Sequence, residues 1–135
     1  MRSKHSSQWA AQFAVAGELC KRGHEVAFTM GNATPLADLM VVSPRRQGFL
    51  IDVKGQAAPN FWLLKERSEI RSDLYYVLAL VPPGMANRYF VLSHAAAHEL
   101  ILTYKTSGVK YDPSFAGFNW TACHAYENRW DLLPE

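Results

Sequence analysis

The chain has little cysteine. Cys20 and Cys123 are the two present, and neither has a CxxC neighbour. A zinc site of the usual spacing is therefore not expected, and two isolated thiols fit a reduced, cytoplasmic setting. Long apolar runs are missing as well. The longest is far too short to span a bilayer, so no membrane partner is expected. Met1-Arg2-Ser3-Lys4 leads into a polar stretch, which argues against a signal peptide. An excess of charge of one sign is nearly absent. The net charge of +2 permits a nucleic-acid partner only if the basic side chains cluster. There is no repeat, no low-complexity segment and no second domain. What is present is globular. Hydrophobic residues make up 49% and charged residues 19%, too apolar a mixture for disorder. Residues 1–135 are read as one domain with its own core.

Helical spacing of Trp9, Phe13, Val15, Ala16 and Leu19 predicts a helix from residue 6 or 7 to residue 21, its apolar stripe facing inward. Arg22-Gly23 ends it. Strands are predicted at about 24–29, 37–43 and 48–54. A short strand at 61–64, a polar connection at 65–73, a buried strand at 74–81 and a strand at 88–92 follow. Ser93 is placed to cap a helix running to about residue 104. Residues 109–119 read as a loop, and 121–130 as room for one more short helix. The predicted class is α/β, a central mixed sheet of four or five strands flanked by helices.

The informative cluster is Asp38, Asp52 and Lys54. Leu39-Met40-Val41-Val42, a polar break, and Phe49-Leu50-Ile51 separate the two aspartates and read as strand, turn, strand. Period-two alternation puts Asp52 and Lys54 on one face, and the hairpin brings Asp38 beside them. Folding alone gives little reason to gather three charges at one end of an apolar hairpin. Two carboxylates suit a hard divalent cation such as Mg2+ or Mn2+. An adjacent lysine suits a phosphate or an attacking water.

Helix, strand, Asp-bearing strand and Ile51-Asp52-Val53-Lys54-Gly55 strand, in that order, resemble the PD-(D/E)xK nuclease superfamily, with its restriction-endonuclease-like core. The strong part covers roughly residues 8–56. The loop 31–38 and the C-terminal Tyr126-Glu127-Asn128-Arg129-Trp130-Asp131 also look like small nuclease-like proteins. The resemblance implies a metal-dependent endonuclease acting on nucleic acid, DNA first. Asp38, Asp52 and the Val53 carbonyl would ligate the metal, and Lys54 would position the water or the phosphate. A homodimer, as in the small junction resolvases, would supply surface for specificity. The superfamily adds a glutamate on the first helix. Here that position falls on Gln12, and the helix's one carboxylate, Glu18, lies roughly 120° around it. A degenerate module that binds nucleic acid or protein without cutting is the alternative, and a structural partner subunit a third.

Other residues carry two readings each. Gln56 should share the face of Lys54 and contact substrate or Asp38, or else belong to a loop. Asn32 and Thr34 could bind phosphate or serve loop geometry. Arg45, Arg46, Lys65, Arg67 and Arg71 are candidate phosphate contacts, interleaved with Glu66, Glu69 and Asp73. His94 and His98 share a helix face but have no third ligand nearby. Trp9, Trp62, Tyr75, Tyr76, Trp120 and Trp130 are read as core or dimer contacts.

Overall fold

A computed structural model describes residues 3–29 and 36–135. The chain opens with α1, Lys4–Lys21, capped by the Ser3 hydroxyl, which accepts from the Ser6 N–H at 3.1 Å. The helix ends where Gly23 takes a φ of 90°, a left-handed conformation that costs glycine little. Three strands follow, β1 (Glu25–Phe28), β2 (Leu39–Val42) and β3 (Gly48–Gln56). They form an antiparallel meander in which Leu39 lies opposite Ile51 and Val41 opposite Phe49. Then come β4 (Trp62–Leu63), β5 (Leu74–Leu80), β6 (Arg88–Ser93), α2 (His94–Lys105) and β7 (Gly117–Phe118). The Ser93 hydroxyl caps α2 by accepting from the Ala96 N–H.

The five-stranded sheet has the order β1-β2-β3-β5-β6, with β3 and β5 its one parallel pair among the described strands. Parallel neighbours need a crossover, and residues 57–73 supply it. In the small β4-β7 sheet, β4 falls within the short strand read at 61–64, whereas β7 lies in the segment read as a loop, two residues being too few to show a period. Helices lie on both faces, so the fold is α/β. Among the described residues no helix is long and apolar enough to cross a membrane.

Alternation along β5 divides the interior in two. Val77 and Ala79 join Ala11, Val15 and Leu19 of α1, with Leu39, Ile51 and Val53. Leu74, Tyr76 and Leu78 join Phe90, Leu92, and Ala97 and Ile101 of α2 on the other face. Each fully buried aliphatic side chain contributes about 1.5–3 kcal/mol. One expectation is corrected here. Trp9 and Phe13 are exposed, and the buried stripe of α1 is Ser7, Ala11, Gln12, Val15, Ala16 and Leu19. Where α1 crosses Gly55 of β3, at Ser7 and Ala11, there is no room for a larger side chain. Leu50 is half-buried, packing on the α2 side, while Phe49 and Ile51 fill the α1 side. The short helix expected within 121–130 is of the 3-10 type. Trp120–Tyr126 and Trp130–Leu132 are 3-10 turns, interrupted because Glu127 extends to bridge Phe90 on β6 and pairs with Arg88 at 2.8 Å.

Candidate active site

The site forms where β2 and β3 part. Their pairing ends at Leu39 and Ile51, with one more bond from the Asp38 N–H to the Ile51 carbonyl at 2.9 Å. Beyond that point β3 continues, and its backbone groups on the β2 side still need partners. Side chains supply them. Asp38 Oδ2 accepts from the Val53 N–H at 2.7 Å. Gln8 of α1 donates from Nε2 to the Val53 carbonyl at 2.7 Å and accepts the Gly55 N–H at Oε1, 3.1 Å away. Gly55 makes this approach possible. A Cβ there would stand 2.5 Å from Ala11 Cβ and 2.8 Å from the Ser7 carbonyl oxygen.

Asp52 and Lys54 sit opposite Tyr76 and Leu78 in the parallel ladder and share a face of the sheet. Lys54 Nζ lies 3.3 Å from Asp52 Oδ1. Asp52 is buried, at 7% exposure, and a carboxylate there needs charged partners. The second is Arg67, whose Nη2 donates to Asp52 Oδ2 at 2.7 Å while its Nε donates to the Tyr76 hydroxyl at 2.9 Å. The Asp38 carboxyl lies within electrostatic reach of Asp52. Burial first, and the Asp52 charge second, push Asp38 up to about 6. The Val53 N–H and the Lys54 charge pull the other way and lose. Two carboxylates thus meet two cations, with Asp38 the member whose charge is least supported.

Gln12 reaches the site, its Nε2 3.5 Å from Asp38 Oδ1. Glu18 does not. It pairs with Lys21 and Arg22 at 3.6 Å each. Gln56 is corrected as a contact to Asp38. Its amide donates to the Phe61 carbonyl and accepts from the Asn60 N–H, fastening the loop after β3. His94 is buried and takes the Arg71 N–H on Nδ1, so that nitrogen's lone pair is engaged. Burial, then the Arg67 charge, lowers its pKa. Asn32 and Thr34 lie outside the described residues. Sequence reasoning missed Gln8 and the direct role of Arg67. Gln8 precedes Gln12 by one helical turn, a signal that carries weight only once α1 is known to cross β3.

Three cavities meet at Lys54, of about 600, 640 and 300 Å³. The first is lined by Asp52, Lys65, Arg67, Arg71 and Tyr76. The second runs past Lys4, His5 and Gln56 on the other side.

No family model, curated protein or solved structure matches the chain.

Function must therefore be argued from the site. Its donors are hard oxygens. Burial and the neighbouring Asp52 disfavour the charge on Asp38, and a bound cation would offset that. Among the described residues no third acidic, histidine or cysteine side chain completes a three-ligand group. Magnesium and manganese accept one or two carboxylates with waters and substrate phosphate. The Val53 carbonyl has one lone pair taken by Gln8 and keeps another. The residues present fit such an ion.

Proposed function

We propose that this protein is a metal-dependent phosphodiesterase that cleaves nucleic acid, DNA first, using Asp38, Asp52 and Lys54. The observation that carries the reading is the nearness of two carboxyls at the β2-β3 fork, with an ammonium 3.3 Å from the second. The similarity in element order to the PD-(D/E)xK nucleases supports it. A magnesium or manganese ion held by Asp38 and Asp52 would lower the pKa of a bound water and offset charge on the phosphate. Lys54, half-buried at the junction of three cavities, would hold a phosphate oxygen or orient the water. Gln12 would hydrogen-bond a water on Asp38, a neutral contribution where the nucleases use a charge.

A second reading is a binding module that no longer cuts. Gln12 and the Arg67 clamp on Asp52 favour it. A plasmid-nicking time course with magnesium or manganese separates the two. The nuclease reading expects cleavage that EDTA stops. It also expects Asp52→Asn and Lys54→Ala each to slow cleavage by about a hundredfold to a thousandfold, with excess metal rescuing only Asp52→Asn. Binding without cleavage on plasmid, junction, single strand and RNA would establish the second reading. Wild-type rates in both variants would move the chemistry away from these residues.

A further inference from the structure

The crossover from β3 to β5 carries a side chain that the catalytic reading leaves without a task. Residues 64–73 hold no strand or helix, yet Arg67 is fixed at two points and its side chain is 21% exposed. Its Nε bonds the Tyr76 hydroxyl, its Nη2 bonds Asp52, and its Cζ lies 5.9 Å from the centre of the Tyr76 ring. Nη1 meets no hydrogen-bond acceptor among the described residues. The same guanidinium lines the cavity of about 600 Å³, where Lys54 and Lys65 also stand. Tyr76 is buried at 2% exposure, so it is a fixed anchor. The crossover segment is the part that can shift.

We propose that Arg67 is the substrate-phosphate ligand of this site and that its pair with Asp52 is a latch exchanged on binding. The proposal rests on the phosphodiesterase reading for the identity of the phosphate. With substrate absent, Asp52 is buried and Arg67 neutralises it. Were Asp52 to hold a divalent cation, Arg67 would lose its counter-charge there and be released into the cavity. Glu66 and Glu69 also line this cavity, with Glu66 held by Tyr111 and Lys105, and the acceptor assigned to the released guanidinium is a phosphodiester oxygen over Lys54. A planar guanidinium with parallel donors can take two oxygens of one phosphate, which an ammonium cannot. Tyr76, as a positioning residue, keeps Arg67 on the cavity wall through the exchange. The proposal accounts for a salt bridge that otherwise blocks one oxygen of a metal ligand.

The latch predicts two opposite changes from one substitution. Arg67→Gln should weaken binding of a fluorescein-labelled DNA oligonucleotide, measured by anisotropy in calcium, by about tenfold or more. The same variant should bind manganese more tightly than wild type in a calorimetric titration without DNA, because Asp52 has lost a competing cation. Tyr76→Phe should give a smaller loss of DNA affinity, and Arg67→Lys should recover part of it. Circular dichroism confirms that the variants fold. If Arg67 only held the crossover in place, Arg67→Gln would weaken both ligands together, and that result overturns the proposal. Unchanged DNA affinity, or no DNA binding by wild type, overturns it as well. The two readings fail separately. Arg67-dependent binding without cleavage keeps the latch and ends the nuclease. Cleavage by Arg67→Gln at the wild-type rate and affinity keeps the nuclease and ends the latch.

Discussion

Asp38 concentrates the site's cost in a single side chain. Its carboxyl titrates at about 6 in the fold and near 3.9 in an unfolded chain. The folded state therefore holds the proton more tightly, and stability falls as pH rises from about 4 to about 6, by about 2–3 kcal/mol without metal. Asp38→Asn removes the charge and keeps an oxygen for the Val53 N–H. In EDTA at about pH 7.5 its melting temperature should exceed that of wild type by roughly 5 °C or more, and near pH 4 the two should converge. An equal gain at both pH values would trace the effect to packing. Asp38, Asp52 and Lys54 are legible in the sequence because strand alternation and one turn suffice to bring them together. The Arg67 pair with Asp52 is not, because it forms only through a parallel pairing that no local pattern announces.

At the scale of elements, the site depends on how closely α1 crosses β3. Gln8 and Gln12 extend from the helix to the strand because Ala11 and Gly55 are small. Gly55→Ala would force helix and strand apart at a Cβ contact of 2.5 Å. It should destabilise the fold by about 1–3 kcal/mol, and cleavage should fall by more than the loss of folded protein explains. Gly48→Ala, with nothing within 4 Å of the added atom, is the control and should melt close to wild type. Thermal melts and initial rates on the three proteins test this. The C-terminal end of α1, the hairpin and the Ser93 cap follow from turn and cap residues visible in the sequence, whereas α1 starts at Lys4 on a Ser3 cap, ahead of the start read at residue 6 or 7. Val15, Ala16 and Leu19 follow hydrophobicity onto the buried face of α1, whereas Trp9 and Phe13 do not, and Ala11 takes the tight crossing with Gly55.

Across the whole molecule, two cores share one sheet, and the site opens at the place where that sheet splits. The separation follows from topology. β3 is paired along its length with β5 but only along its first half with β2. The remaining half is guarded by Asp38 and Gln8 in place of a strand. The Val53 and Gly55 amide protons are consequently reporters of the site, protected from exchange with solvent by single side chains. In heavy water, Gln8→Ala should release the Gly55 proton, and Asp38→Ala the Val53 proton, each about tenfold faster or more, while Val77 on β5 exchanges as in wild type. Faster exchange spread evenly over β3 and β5 would mean that the substitution had loosened the sheet instead. The amide signals of two residues would then follow occupancy of the site directly, whatever reaction takes place there.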